Sequence, residues 1–255
     1  MSYSEQFYAD RQSLTQSSTS AVLDVLLAEI APLGQGAESF PQSVLDVGCA
    51  TGIWLAACKS RGVTKVHGID GPWVPREQLE IAEGEFTEHN LAESMPAADA
   101  NYDLALCIEV AEHLAATQAA DLVNYLAGRA DMVLFSAAIP GQGGTDHINE
   151  QPQSYWREHF ANAGMLCFDI IRPALWSNPA VNLIYRQNML LYVAKGSAQE
   201  TALRQLSEPV TGEFALNRVH PELMARRMQQ RTLPALLRQR LHDLTLGPLY
   251  RLRNK

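Results

Sequence analysis

Short apolar runs alternate with amphipathic stretches through most of the chain, and this alternation predicts its secondary structure. Apolar positions three or four residues apart predict helices over residues 53–61, 117–127 and 154–163. The apolar runs between and around them predict seven strands, at residues 43–47, 65–69, 85–87, 102–108, 131–139, 165–171 and 189–194. Strands that alternate with helices are typical of an α/β fold with a doubly wound, mostly parallel sheet.

The two ends of the chain differ from this alternating centre. Residues 21–30 are predicted to form a helix, with an N-cap at Ser18, Thr19 or Ser20. Residues 196–217 are predicted to be a linker with one short helical piece, and residues 220–255 have a helical repeat. We therefore predict three parts: an N-terminal helical segment (residues 1–42), a central domain (43–195), and a linker with a basic amphipathic helical tail (196–255).

Composition sets limits on the class of protein. With 255 residues, 47% hydrophobic and 19% charged, the chain suits one α/β domain with additions. It has no apolar run of about 18 residues, so we expect no transmembrane helix, and its polar N-terminus does not resemble a signal peptide. The four cysteines include no CxxC pair, so we expect no disulfide and a cytoplasmic location.

The net charge of −8 is unevenly distributed along the chain. Residues 218–255 hold nine Lys or Arg and two acidic residues, which gives +7, whereas the preceding 217 residues hold eleven and 26, which gives −15. The acidic body argues against a nucleic-acid partner. The basic tail can dock on this body, on a partner chain or on an anionic membrane surface, and the sequence leaves these possibilities and the oligomeric state open.

The most informative stretch is the first predicted strand with its glycine-rich turn, Val44-Leu45-Asp46-Val47-Gly48-Cys49-Ala50-Thr51-Gly52. It joins the carboxyl end of a strand to a helix N-terminus, where open α/β sheets bind nucleotide-like ligands. A dinucleotide fold requires glycine at the first, third and sixth turn positions, but the last two are Ala50 and Ile53. The stretch instead has an acidic residue followed by small residues at every second position: Asp46, Gly48, Ala50 and Gly52.

This pattern strongly resembles the first motif of class I S-adenosyl-L-methionine (SAM)-dependent methyltransferases. The resemblance implies a Rossmann-like methyltransferase fold in which Asp46 receives the amino group of SAM. The turn then packs on the ribose and methionine chain of SAM through Gly48, Cys49, Ala50 and Gly52. Ala50 stands where many members have glycine, which should cost little if its φ is negative. Residues 165–171 and 189–194 match the antiparallel hairpin that the family adds to the sheet edge.

Further cofactor contacts are predicted at the ends of later strands. Asp70 follows Asp46 by 24 residues, near the spacing at which a carboxylate receives ribose hydroxyls, and Gly71 follows it directly. In the resemblance, Asn90 and Leu91 contact adenine. Glu109 lines the methionine part of SAM or the mouth of the acceptor site.

Residues 140–152 form a glycine-rich polar loop after the fifth predicted strand, and such loops on a rigid scaffold often carry substrate chemistry. Because neutral imidazole is available near neutral pH, His147 is the candidate general base. Glu150 or Glu109 is expected to orient it. The residues predicted to bind the acceptor are Asn149, Gln151, Tyr185, Arg186 and Gln187.

We assign no metal ligands from the sequence. Glu109 and His113 would share a face if the chain turned helical at once, but Glu109 stands where a zinc helix requires His. We therefore assign His113 a structural role. A divalent cation remains compatible with the resemblance, because some sugar methyltransferases use one.

The predicted function is SAM-dependent O-methylation of a sugar or another small hydroxylated acceptor. A narrower resemblance to bacterial methyltransferases of surface-polysaccharide and glycan biosynthesis favours a sugar. The segments that carry it are 46–52, 68–71, 109–114, 135–144, 147–151 and 185–188. Three alternatives stay open: methylation of a phosphate or carboxylate without a base, which would rely on Arg172 and Arg186; a SAM-binding or partner-binding protein without catalysis; and an NAD-linked reductase.

Overall fold

Seven strands form a single sheet in the computed structural model, which describes residues 5–31, 41–97 and 100–229, with side chains from Thr15 onward. The strands are β1 (Ser43–Val47), β2 (Lys65–Asp70), β3 (Phe86–Glu88), β4 (Leu104–Ile108), β5 (Met132–Ser136), β6 (Met165–Phe168) and β7 (Leu190–Ala194). Their spatial order is β3-β2-β1-β4-β5-β7-β6. The first five are parallel, and β7 is antiparallel to both β5 and β6. The predicted doubly wound sheet and its antiparallel edge hairpin are confirmed.

Helices cover both faces of the sheet. Their bounds are α1 (Glu5–Ile30), α2 (Ile53–Lys59), α3 (Ala119–Ala127), α4 (Gln153–Asn162), α5 (Ile171–Leu175), α6 (Leu183–Asn188), α7 (Ala198–Leu203) and α8 (Glu213–Leu216). The core on one face includes apolar residues of α1, α2 and α5, and the core on the other face includes those of α3 and α4. Because both faces are covered, all five residues of β4 and all five of β5 are buried, as in other parallel sheets.

The first helix begins earlier than the sequence predicts. Ser18 and Thr19, predicted as caps, lie inside α1 and are fully buried. The hydroxyl of Ser18 accepts a hydrogen bond from the backbone N–H of Asn182 at 2.9 Å. Ser and Thr in sequence favour the start of a helix. Here both residues are buried, and the contact of Ser18 with Asn182 is compatible with a helix that continues through them.

The sixth strand ends three residues before its predicted bound at Ile171, and the connection to β7 is partly helical. The strand ends at Phe168, and α5 and α6 lie in the connection. The side chain of Asn182 caps α6 by accepting from the N–H of Ile184 at 3.3 Å. Polar residues of this stretch are buried in partnered positions, which a sequence pattern does not reveal.

Beyond the sheet, the predicted linker contains α7 and α8, with Ser197 capping α7. By its internal contacts the chain divides into two compact units, Met1–Arg218 and Val219–Lys255. In the second unit residues 221–229 are helical, and the rest of the predicted tail lies outside the described residues. The three-part division predicted from the sequence stays a prediction. Within the described ranges, no helix is long and apolar enough to span a membrane.

Candidate functional site

The glycine-rich turn after β1 is tied to the end of β2. The backbone N–H groups of Gly48 and Cys49 both donate to the carbonyl of Ile69, at 2.8 and 3.2 Å. Gly48 has a φ of +85°, and a Cβ atom there would lie 2.2 Å from Val110 Cγ2, whereas Gly52 has the same φ and packs against Ile81. Both positions therefore require glycine, for backbone conformation and for close packing.

Ala50 does not meet the condition that the sequence analysis set for it. Its φ is +49°, in the left-handed region, where an L-residue with a Cβ is disfavoured by about 1–2 kcal/mol. The N–H of Ala50 donates to Asp70 Oδ2 at 2.7 Å, and this bond between neighbouring strand ends holds the strained conformation.

Asp46 is buried, with 1% of its surface exposed. Its Oδ2 atom has no hydrogen-bond partner among the described residues. Burial, and secondarily the charge of Asp70, raises the pKa of Asp46 well above its usual value. A buried carboxyl group that lacks a partner fits a cationic ligand group, such as the amino group of SAM.

Asp70 is predicted to bind ribose, and its carboxyl group already has three protein donors. Besides the N–H of Ala50 on Oδ2, Oδ1 accepts from the N–H of Gly71 at 2.6 Å and from the indole N–H of Trp73 at 3.0 Å. Burial raises the pKa of Asp70, and these hydrogen bonds oppose the rise. A carboxylate has about four acceptor positions, so about one is left for a ribose hydroxyl. Trp73 had no role predicted from its sequence, and its position three residues after Asp70 was the available signal.

The amide of Asn90 is engaged in its own turn. Asn90 Nδ2 donates to Glu93 Oε1 at 2.7 Å, and Oδ1 accepts from the N–H of Ala92 at 3.1 Å, which forms an Asx-type turn. Leu91 is buried in the core. The assignment of both residues to adenine stays a prediction.

Glu109 terminates β4 with a φ of +56°, an uncommon conformation for a residue with a side chain. Its Oε1 accepts from Asn188 Nδ2 at 3.0 Å and its Oε2 from Gln142 Nε2 at 2.9 Å. Burial raises the pKa of Glu109, and these bonds oppose the rise. Glu109 therefore joins α6 to the polar loop. It shares no helix face with His113, because the chain leaves β4 through this left-handed residue and then forms a 3₁₀ turn, Ala111–His113.

Glu112 lies in that 3₁₀ turn and is completely buried. Its carboxyl oxygens are close to Glu109 and to the backbone of Ala138, but no described donor reaches them with hydrogen-bond geometry. Burial, and then the charge of Glu109, raises the pKa of Glu112 well above its usual value. The sequence analysis gave this residue no role, although a glutamate between Ala111 and His113 at a strand end was visible.

His147 extends from the polar loop toward Glu112. Its Nδ1 lies 3.1 Å from Glu150 Oε1, and its Nε2 lies 4.0 Å from Glu112 Oε1, with 12% of the side chain exposed. The His113 ring meets it edge-on, with ring centroids 4.9 Å apart. Of the two candidates to orient His147, the structure selects Glu150, since Glu109 is hydrogen-bonded elsewhere.

Glu150 also fixes the loop around His147. Partial burial acts to raise the pKa of Glu150, but its bonds to His147 and to the N–H groups of Gly141 and Gly143 outweigh burial and lower it. A Cβ atom on Gly144 would lie 2.3 Å from Nε2 of His147, so the imidazole packs directly on the loop backbone. Gly144 therefore allows the loop backbone to approach the histidine closely.

Of the residues predicted to bind the acceptor, Asn149 lies beside Glu112, and Gln151 binds Asn149. The N–H of Asn149 donates to the Glu112 carbonyl at 3.0 Å, and Asn149 Oδ1 accepts from Gln151 Nε2 at 2.9 Å. Tyr185 instead packs edge-on against Trp54.

The other two predicted acceptor contacts on α6 are also turned to protein partners. Arg186 is buried, and its Nη1 lies 3.4 Å from the Trp176 carbonyl. Gln187 Nε2 donates to the carbonyl of Arg218 at 2.7 Å. The residue of α6 that reaches the polar loop is Asn188, which also donates to Gln142 Oε1 at 2.9 Å and had no assigned role.

The cofactor turn and the Glu112–His147 group occupy neighbouring strand ends. β4 lies between β1 and β5 in the sheet. Cys107 of β4 is buried, which raises the pKa of its thiol, and the charges of Asp46, Glu112 and Glu109 raise it further. Because β1, β4 and β5 are parallel neighbours, the glycine-rich turn after β1 and the Glu112–His147 group lie at the same edge of the sheet.

Residues 17–127 match the family model described as methyltransferase domain. The protein is a SAM-dependent methyltransferase with SAM as its cofactor, as predicted. The assignment of individual residues to that cofactor stays a prediction. A comparison with curated proteins finds no match.

Solved structures of methyltransferases share the fold. A Haloferax volcanii methyltransferase in complex with the Trm112 methyltransferase activator has a TM-score of 0.52 and 15% identity, over 74% of this chain and 94% of that one. Magnesium protoporphyrin IX methyltransferase (ChlM) from Synechocystis PCC 6803, with bound SAH, has a TM-score of 0.50 and 18% identity, over 76% and 90%. At these identities the similarity shows the fold of the sheet and helices.

Proposed function

We propose that this methyltransferase methylates a hydroxyl group of a small, sugar-type acceptor, and that His147 is required for loss of the hydroxyl proton. A hydroxyl is a weak nucleophile until a base takes its proton in the transition state. The observation that carries the proposal is the pair formed by His147 and Glu150, with Nδ1 at 3.1 Å from the carboxylate. With Nδ1 donating to Glu150, Nε2 carries the lone pair, and in the simplest case it accepts the proton as general base.

In this proposal the turn after β1 holds SAM, which supplies the methyl group. Asp46 offers its unpartnered oxygen to the amino group of the cofactor. Asp70 keeps about one acceptor position for the ribose. The backbone of Gly48, Cys49 and Ala50, linked to the end of β2, gives the floor of the site.

The acceptor is proposed to lie against the polar loop. Asn149 is close to Glu112 and binds Gln151, and the amide groups of both suit the hydroxyls of a sugar. The resemblance to methyltransferases of glycan biosynthesis supports the same acceptor class. We also propose that the basic tail contacts a partner protein or a membrane surface. The fold is similar to that of a Haloferax volcanii methyltransferase in complex with an activator protein, which supports a protein partner.

Methylation of a phosphate or carboxylate has weaker support. Arg172, one of the two cations it would use, is 1% exposed and bound to Asp169 at 2.6 Å and to the Leu216 carbonyl at 2.8 Å. A guanidinium held by these partners is a structural group. A hydroxyl acceptor therefore fits the site better.

The test compares His147→Ala with His159→Ala, which removes a histidine of α4. Transfer of tritium from methyl-labelled SAM to small molecules of a cell extract measures turnover, and calorimetry with S-adenosylhomocysteine measures cofactor binding. We expect His147→Ala to lower turnover by about 10²- to 10⁴-fold with unchanged cofactor affinity, because the proton-transfer step is lost. His159→Ala should retain both. Full turnover in His147→Ala would contradict the proposed role of His147. If Arg186→Ala also lost methyl transfer, a phosphate or carboxylate acceptor would be favoured.

A further inference from the structure

We propose that Glu112, His113 and His147 form a binding site for one divalent transition-metal cation. Each residue offers one ligand atom, and these atoms all lie within 4.8 Å of one another. The three come from the 3₁₀ turn after β4 and from the polar loop after β5, two neighbouring strands of the sheet. This group is called the Glu112 cluster below.

The first support is the state of the Glu112 carboxyl group. It is 0% exposed, and no described donor satisfies either oxygen. The Glu112 carboxyl group lies beside the buried carboxyl group of Glu109, and two buried carboxylates side by side are strongly unfavourable unless they are paired or coordinate a metal. No lysine or arginine forms an ion pair with Glu109 or Glu112 within the part of the chain that the structure describes. A cation at this point would supply the missing charge.

The second support is the orientation of the two imidazoles. Nδ1 of His147 faces Glu150 Oε1 at 3.1 Å, and Nδ1 of His113 faces the carbonyl of Asp146 at 3.3 Å. Metal-binding histidines almost always donate their second ring N–H to a carboxylate or a backbone carbonyl, as both do here. With Nδ1 as donor, Nε2 of each ring carries the lone pair that a cation binds.

The backbone conformation of the loop produces one of these partners. Asp146 has a φ of +58°, a left-handed conformation that is uncommon for a residue with a side chain. Its carbonyl is the group that faces His113. Asp146 therefore lies beside both rings, because its carbonyl faces His113 and His147 follows it directly in the chain.

The spacing suits a cation after a small closure of the side chains. His147 Nε2 and Glu112 Oε1 are 4.0 Å apart. Two ligands at about 2.1 Å from a tetrahedral zinc ion are about 3.4 Å from each other. Closure of this pair by about 0.6 Å, and of any pair in the cluster by at most about 1.4 Å, would therefore complete the site by side-chain rotation.

The donor set selects the kind of cation. Two imidazole nitrogens with one carboxylate suit zinc, cobalt, manganese or iron, whereas magnesium and calcium prefer oxygen ligands throughout. Three protein ligands also leave a coordination position open, as in catalytic zinc sites. The three ligands therefore differ from a structural zinc site, in which four protein ligands leave no position open.

The functional meaning of the cation rests on the proposed O-methylation. An acceptor hydroxyl on the open position would have a lowered pKa, so its proton would leave to water before the oxygen attacks. Nε2 of His147 would then act as a ligand and not as the proton acceptor. The loss of activity in His147→Ala is expected in both cases, so cation binding must be measured directly.

The test is a titration of the full-length protein after removal of metals with a chelator. Zn²⁺ binding is followed by calorimetry and Co²⁺ binding by its visible absorption bands, with Mg²⁺ as the comparison ion. We expect one Zn²⁺ per chain and no measurable heat with Mg²⁺. Glu112→Gln and His113→Ala should each weaken Zn²⁺ binding by at least about tenfold, while His159→Ala leaves it unchanged.

Glu112→Gln also controls for folding. It replaces a buried carboxyl with a neutral amide of the same size, so the metal-free variant should unfold at the temperature of the metal-free wild type or above it. Absence of Zn²⁺ binding in the wild type, or equal binding in Glu112→Gln, would overturn the proposal. Zn²⁺ binding without methyl transfer to any acceptor would leave the cation site in place and overturn only the proposed function.

Discussion

Three residues with side chains have a positive φ in the described part of the chain, and all three lie at the site. Ala50 is in the glycine-rich turn after β1, Glu109 follows β4, and Asp146 precedes His147. Each of the three residues has a contact that holds its backbone. The N–H of Ala50 donates to Asp70, the N–H of Glu109 donates to Ser136, and the carbonyl of Asp146 faces His113. Strained backbone of this kind persists where the surroundings hold it, and it tends to gather at functional sites.

The strain at Ala50 leads to a prediction about stability. Ala50→Gly removes a left-handed penalty of about 1–2 kcal/mol, while glycine adds about 0.4–1 kcal/mol of unfolded-chain entropy. We expect the free energy of unfolding to rise by up to about 1 kcal/mol in urea titrations, with the affinity for S-adenosylhomocysteine unchanged. Ala56→Gly, in the middle of α2, is the matched control and should lower stability by about 1 kcal/mol. Equal losses in the two variants would show that the φ of Ala50 carries no strain.

At the level of elements, α5 is linked to α8 by a buried guanidinium. Arg172 Nε and Nη2 bind the two carboxyl oxygens of Asp169 at 2.9 and 2.6 Å, and Nη1 donates to the carbonyl of Leu216 at 2.8 Å. This polar link gives one buried charged side chain of the stretch between β6 and β7 a structural role.

Removal of this guanidinium should be costly to stability. Arg172→Met leaves Asp169 buried without its partner, and breaking a buried pair from one side costs about 3–5 kcal/mol. Arg204→Met is the control, because Arg204 pairs with Glu200 at the surface, where 43% of its side chain is exposed. Loss of such a surface pair should leave the stability nearly unchanged. Urea unfolding measures both. If Arg172→Met unfolded like the wild type but lost methyl transfer, Arg172 would belong to the acceptor site.

At the scale of the whole molecule, the strand order brings the chemistry to one edge. β2, β1, β4 and β5 are adjacent and parallel, so their carboxyl ends lie side by side. Asp70, Asp46, Glu109 and the polar loop follow these ends or lie close to them. This is the edge at which open α/β sheets bind their ligands.

Cofactor binding at that edge should stabilise the whole domain. At a concentration one hundred times its Kd, S-adenosylhomocysteine should raise the free energy of unfolding by about 2.7 kcal/mol, because it binds only the folded state. The unfolding temperature measured by calorimetry should rise accordingly. NADH at the same concentration is the control and should cause no shift, since the turn lacks the dinucleotide glycines. A shift of the unfolding temperature with NADH but not with S-adenosylhomocysteine would contradict the prediction that this turn binds SAM.

The sequence by itself determined the positions of the seven strands, the cofactor turn and the His147 loop. These features are local: apolar runs mark buried parallel strands, and a motif of seven residues carries its own spacing. Their boundaries shifted where packing decided them, as at the start of α1 and the end of β6. The sequence also left open whether Glu150 or Glu109 is the partner of His147.

Only the tertiary structure decided which distant side chains meet. Asn188 reaches Glu109 across 79 residues, and Glu112 meets His147 because β4 and β5 are neighbours in the sheet. It also decided that Arg172 is neutralised by Asp169 and that Ala50 is left-handed. Such contacts depend on strand order, loop path and burial, which are properties of the folded chain and are not encoded in any short run of residues.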